Sequence, residues 1–429
     1  MNENAREISL KRAAVLKSRI QDYLDVKDKI PSGLSAQKLV EERKARIMEE
    51  LGATEEQWND WHWQVRSRIT ESETLGRIIQ LTEKQKQEID RVGRKFRWAI
   101  SPNFLALIED EDPLKHYKNP VFLQSIPIGL ELKDDHGRSD PMGEEFTNPA
   151  DCVTRRYADR LIIYATNQCG MYCRHCQRRR NIGEFDRPSS KADLEHAIDY
   201  IKKNPEIRDV LITGGDPLTL SDERIDWLLT KLDEIDHVEI KRIGTRMPIT
   251  IPQRITEDFC DMLKKHQPLF INIQCNHPLE LTQDVKKALG RLADAGVVLG
   301  NQAVLLKGIN DDPHIMKKLN QDLLLCRVRP YYIFHAKEVI GTEHFRTSVD
   351  VGIEIMEYLV GYTSGLARPT FIVNAPDGYG KTPMLPEYTL SRGRGKLLLR
   401  TWEGRVFEYE NADAPGRIQD LELDLDLDE

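Results

Sequence analysis

Between residues 160 and 336, six short runs rich in β-branched and aromatic residues alternate with stretches of helical spacing. The runs lie at 160–166, 209–213, 238–244, 269–275, 297–304 and 330–336. Segments such as 191–204 and 224–234 repeat apolar residues at the three- and four-residue steps of a helix. Parallel strands need a long crossover, and a helix is the usual one. The alternation predicts an α/β fold, a partial (β/α)6 TIM-type barrel, with its chemistry at the C-terminal ends of the strands. A further apolar run, Pro369-Thr-Phe-Ile-Val-Asn374, is expected as a strand after the barrel.

The flanking regions read differently. Residues 1–110 are polar, charged and helical in pattern, with Ser35 as N-cap of a helix over 36–51 and Gly52 as its stop. Thr54-Glu-Glu-Gln57 is a capping box for the next helix, which carries Trp58, Trp61, Trp63 and Val65. Those tryptophans are expected to pack in a core or interface. Residues 111–151, rich in Pro, Asp and Gly, read as a connecting segment, 152–365 as the barrel, and 366–429 as a C-terminal segment. Its last ten residues, Asp420 to Glu429, alternate leucine and acid, as an edge strand in an oligomer or a frayed end would.

The 429 residues carry a net charge of −8, so no basic field draws the chain to nucleic acid. The polar start Met1-Asn-Glu-Asn-Ala-Arg-Glu argues against a secretory leader, and no apolar run approaches the ~18 residues of a membrane span. Seven cysteines, three of them within eight positions, suit a metal cluster in the reducing cytoplasm better than a disulfide framework.

Those three form Cys169-Gly-Met-Tyr-Cys173-Arg-His-Cys176, directly after the first strand. Thiolates at C-x3-C-x2-C can hold three irons of a [4Fe–4S] cube and leave the fourth open to a small molecule. This is the spacing used in radical S-adenosylmethionine (SAM) enzymes, where the open iron serves reductive cleavage of SAM. The alternatives are chance clustering or structural zinc with His175 as fourth ligand, although zinc usually draws on paired cysteine units.

Thr213-Gly-Gly-Asp216 follows the second strand. Gly214 and Gly215 would let a ligand approach the backbone, and Asp216 could accept from the SAM ammonium; a plain turn is the alternative. In Arg178-Arg-Arg180 one guanidinium could clamp a substrate carboxylate, although such runs are more often solvated. Gly378-Tyr-Gly-Lys381-Thr382 is not a P-loop, because Ala375 stands where the first glycine belongs. A lysine there suits a Schiff base with a carbonyl cofactor, or is an ordinary surface lysine.

Together these motifs resemble the lysine 2,3-aminomutase family of radical SAM, pyridoxal-phosphate enzymes. The resemblance runs from about Trp58 to about Glu403 and includes Trp58-Asn-Asp-Trp61, Arg155-Arg-Tyr157 with Arg160, and Cys169 to Arg180. It continues through Gly300-Asn-Gln302, Arg329-Pro-Tyr-Tyr332, Glu343-His-Phe-Arg346 and Gly380-Lys-Thr-Pro383. It implies that Lys381 is the catalytic lysine carrying pyridoxal phosphate (PLP) and that Arg156, Tyr157, Arg160 and Gln302 lie around the cofactors. Gly214, Gly215 and Asp216 would meet SAM, Arg178 the substrate carboxylate, and Cys169, Cys173 and Cys176 the cluster. The implied reaction moves an amino group from C2 to C3 of an amino acid; a reductant for the cluster and a homo-oligomer are the expected partners.

Two departures bear on the substrate and on metal. Lysine-specific members are expected to grip the distal ammonium with two aspartates, and here those positions hold Lys337 and Asn374. Opposite unit charges about 4 Å apart gain several kcal/mol at an intermediate dielectric, and like charges lose as much. Lys337 should therefore repel lysine and attract a side-chain carboxylate, to which Asn374 can donate, unless Lys337 points to solvent. L-glutamate is the expected substrate, giving β-glutamate; lysine, glutamine or aspartate, or a non-catalytic iron–sulfur interaction protein, are the alternatives. No cysteine follows Cys326 and Asp312 stands at the expected partner position, so the family's zinc site is not expected.

Overall fold

The computed structural model describes residues 3–109, 112–113, 115–134, 136–183, 185–393 and 395–411. The chain divides into two compact units, Met1–Met384 and Leu385–Glu429. The acidic–leucine repeat at 420–429 lies outside the described residues.

The first unit is built on one open sheet of nine strands in sequence order. These are β1 (Val153–Thr154), β2 (Arg160–Thr166), β3 (Asp209–Gly214), β4 (Ile240–Thr245), β5 (Leu269–Ile273), β6 (Val298–Leu305), β7 (Arg329–His335), β8 (Thr370–Asn374) and β9 (Lys381–Met384). From β2 to β8 every neighbouring pair is parallel. The parallel strands thus number seven rather than six, because Thr370–Asn374, expected after the barrel, pairs with β7. Short antiparallel strands close both edges, β1 on β2 and β9 on β8. The sheet is open, in keeping with a partial barrel.

The crossovers bury one helical stripe each, as parallel sheets require. Lys191–Lys202 sinks Leu194, Ala197, Ile198 and Ile201, and Gln283–Asp294 sinks Val285, Ala288, Leu289 and Leu292. Asp312, on the expected zinc position, caps the helix Pro313–Leu325 by accepting from the His314 and Ile315 amides at 2.7 and 3.3 Å.

In the N-terminal region the capping box at Thr54 forms, and Gly52 ends its helix in the left-handed conformation at φ +61°. Ser35 is not an N-cap: the helix starts at Gln37 behind Ala36, and the Ser35 hydroxyl donates to the Ser32 carbonyl. The tryptophan helix is broken at Asp60, whose carboxylate accepts from the His62 and Trp63 amides and starts a second helix. Trp58 is buried, and Trp61 lies under the Arg254 guanidinium at 4.6 Å. Part of the stretch expected to be a connection is interior: the helix Pro120–Ser125 buries Val121, Phe122 and Gln124.

The second unit is a three-stranded antiparallel sheet of β10 (Thr389–Gly393), β11 (Lys396–Arg400) and β12 (Val406–Glu410). No helix among the described residues is long and apolar enough to cross a membrane.

Candidate active site

A cavity of about 320 Å³ follows the inner face of the parallel sheet, within the usual size of a small-molecule site. Cys169, Cys173 and Cys176 line it together, on the loop leaving β2. Burial pushes the Cys169 and Cys176 thiols up, so three thiolates need positive charge beside them. Part of it comes from Arg246 at the end of β4, whose Nη1 donates to Cys173 Sγ at 2.9 Å. Arg246 is held from behind by Glu280 at 2.8 Å and Gln124 at 2.7 Å. A thiol face backed by a buried guanidinium fits an anionic iron–sulfur cube. His175, the alternative fourth ligand, instead meets the Asn276 amide at 3.3 Å and the Phe345 ring edge-on.

Gly214, Gly215 and Asp216 also shape this loop. The Gly215 and Asp216 amides are spent on the Thr166 and Gln168 carbonyls at 2.5 and 2.6 Å. A Cβ on Gly214 would lie 2.3 Å from the Thr166 oxygen. The buried Asp216 carboxylate accepts from Thr245 Oγ1 (2.6 Å) and from the amides of Arg246 (2.6 Å), Met247 (3.0 Å) and Leu218 (3.1 Å). Asp216 therefore builds the turn that carries Arg246 to Cys173, and with Gly214 and Gly215 it lines the same cavity as the three thiols.

The β8–β9 hairpin sets two candidate residues face to face. Asn374 and Lys381 are register partners, so their side chains leave the same face of the sheet. Lys381 Nζ approaches the Tyr157 hydroxyl at 3.4 Å, and the rings of Tyr157, Tyr332 and Phe334 surround it at 5.0, 6.0 and 6.0 Å. Desolvation, with Arg160, Arg242 and Arg156 nearby, pushes its pKa down to about 8. Arg160 stacks on Tyr157 at 4.0 Å, and Gln302 lines the same cavity from β6. Arg160 and Asp209 begin their strands, and Arg242 joins them through Asp209 at 2.7 Å. The site therefore draws on strand starts as well as on C-terminal ends.

Arg178 and Arg156 both line the cavity and share one carboxylate, Glu144, at 3.2 and 3.3 Å. Burial would raise the Glu144 pKa, but Arg178 and Arg156 hold it below the ordinary value. Lys337 does not point to solvent. It lines the cavity and its ammonium donates to Gln177 Oε1. Asn374 Nδ2 is buried there with no acceptor among the described residues. Sequence reasoning passed over Glu144, Gln177 and Arg246. Arg246, a charge at the end of an apolar strand, carried a readable signal, whereas Glu144 is one acid among many in its segment.

The lysine-2,3-aminomutase family model matches residues 356–425, and the radical SAM superfamily model matches 163–319. Glutamate 2,3-aminomutase of Clostridioides difficile (strain 630) is 57% identical over 414 residues, 96% of this chain and 97% of that protein. The L-lysine 2,3-aminomutases of Acetoanaerobium sticklandii and Clostridium subterminale are each 47% identical, over 84% and 82% of this chain and 86% and 84% of theirs. The radical SAM match carries with it a [4Fe–4S] cluster and SAM, which the thiol face and cavity can accept. With its cysteine loop, parallel sheet and full-length similarity, the chain belongs to the 2,3-aminomutase family of radical SAM enzymes, which are isomerases.

Proposed function

We propose that this aminomutase acts on L-glutamate, moving its amino group from C2 to C3 to give β-glutamate, with PLP carried on Lys381. The observation that carries the reading is the distal pocket. Lys337 lines the cavity, and Asn374 Nδ2 is a buried donor without an acceptor. An unpaired buried donor costs about 1–3 kcal/mol. A substrate side-chain carboxylate would accept from both residues, whereas a lysine ammonium offers only donors and a like charge. The glutamate 2,3-aminomutase similarity over 96% of the chain supports the same substrate.

The cluster and SAM supply a carbon radical able to remove hydrogen from an unactivated carbon. PLP, held on Lys381, would supply a conjugated π-system able to share an unpaired electron with the migrating nitrogen. The chain's own residues bind and orient. Arg178 would hold the α-carboxylate, with Glu144 fixing the guanidinium from behind at 3.2 Å. Lys381, in its aromatic surround, would hold PLP, with Arg156, Tyr157, Arg160 and Gln302 about it. A reductant for the cluster, assembly as a homo-oligomer and a reducing cytoplasm accompany this reading, and all seven cysteines are free.

The test is direct competition. Reconstituted, reduced enzyme with SAM and PLP is given equimolar L-glutamate, L-aspartate, L-glutamine and L-lysine, and the β-amino acids are separated. β-Glutamate should dominate, and Lys337→Asp should cut its formation by about a hundredfold or more, the size of a several-kcal/mol charge reversal. β-Lysine as the main product of the unaltered enzyme would overturn the assignment.

A further inference from the structure

The Lys337–Gln177 contact joins residues 160 positions apart in the chain. An ammonium only donates, so the amide must present its oxygen there, and the contact fixes which way Gln177 faces. Gln177 directly follows Cys176, so the lysine that reads substrate charge is held by the loop that presents the cluster thiols. Among the described residues Lys337 forms no ion pair. The charges around it are Arg156, Arg178 and Lys381, opposed by Glu144. Glu144 is already engaged by the two arginines.

A neutral acceptor in this place differs from an anionic one. It fixes the ammonium without cancelling its charge. We propose that Gln177 is the positioning residue for Lys337, holding its ammonium in the cavity so that the charge is left for the substrate's distal carboxylate. The proposal rests on the glutamate reading and extends it to a residue outside the distal pair. A glutamate at this position would satisfy Lys337 internally and compete with the substrate. A leucine would release Lys337 altogether.

The experiment measures kcat and KM for L-glutamate with the reconstituted holoenzyme and with Gln177→Glu and Gln177→Leu, together with iron per chain. Gln177→Glu is nearly isosteric, so a role confined to loop shape predicts no change in KM. The positioning role predicts that both variants keep their iron and that KM rises by about tenfold or more, kcat falling less, as expected for a lost charge-assisted contact. Unchanged KM in a variant that retains its iron overturns the proposal, and so does loss of iron from both variants, which would make Gln177 a structural part of the loop. Wild-type enzyme that does not turn over glutamate overturns the substrate reading itself and this proposal with it, whereas wild-type turnover with unaffected variants removes only the latter.

Discussion

Lys337 and Lys381 share one cavity and need opposite protonation states. Burial, reinforced by Arg156 and Arg178, pushes the Lys337 pKa down to about 7. Only its ammonium attracts a carboxylate, so the empty site loses its hold on glutamate as pH rises through that value. Substrate binding should therefore take up a proton, and KM for glutamate should climb between about pH 6 and pH 9 while kcat at saturation changes less. Lys337→Arg keeps its charge across that range and should flatten the rise. Lys381, pushed down to about 8, must be a free amine to attack a carbonyl. PLP uptake by the apoenzyme, followed by its absorbance, should thus accelerate as pH rises through about 8. A KM profile that is flat in the wild type would show that no group titrating near 7 governs glutamate binding.

At the scale of elements, the close approach of the β3 end to the β2 end shapes the cluster loop. Gly214 sits at φ +135°, and an added Cβ would meet the Thr166 backbone oxygen at 2.3 Å. That oxygen belongs to the strand end and cannot turn aside as a side chain could. Gly214→Ala should cost at least about 1–3 kcal/mol and lower the iron bound per chain, read by denaturant midpoint and iron assay. An alanine variant with full iron and unaltered stability would remove the packing argument. The glycine pair was visible in the sequence, but its packing against β2 was not, because the partner carbonyls lie about 50 residues away in the chain. The six strand runs and the Thr54 box were legible because period and capping are local. Thr370–Asn374 was legible as a strand but not as the seventh parallel member, since pairing with β7 is a tertiary choice. The helix Pro120–Ser125 was hidden by turn-forming neighbours, although proline at its first position behind Asn119 is a start signal. In the site, Lys337 and Asn374 stood out through a resemblance, whereas Gln177 and Glu144 matter only through contacts that no spacing reveals.

Across the whole first unit, the region around the cluster loop rests on one buried carboxylate. Glu131 accepts from Arg174 Nη2 at 2.6 Å and Nε at 3.0 Å, and from Arg179 Nη2 at 2.8 Å. Arg174 also reaches the Arg97 carbonyl at 3.0 Å, and Arg179 the Gly341 carbonyl at 3.3 Å. Four distant segments therefore meet here, including the loop after β7 that carries Lys337. Burial would raise the Glu131 pKa, but Arg174 and Arg179 hold it below the ordinary carboxylate value. A carboxyl depressed in the folded state contributes stability that is present above its unfolded pKa and lost as pH falls through the folded one. Glu131→Gln removes the one carboxylate that, among the described residues, pairs with the Arg174 and Arg179 guanidinium groups, a change that typically costs about 3–5 kcal/mol. The loss should be read in full by urea unfolding near neutral pH, and the gap to wild type should narrow as both are acidified, since protonation of Glu131 imposes the same loss on the wild type. Equal stability at neutral pH would show that the arginines are held by their carbonyl contacts instead. Because Arg174 lies between Cys173 and Cys176, the same variant should bind its cluster less tightly, and iron retention should follow the unfolding midpoint rather than the chemistry of the thiols.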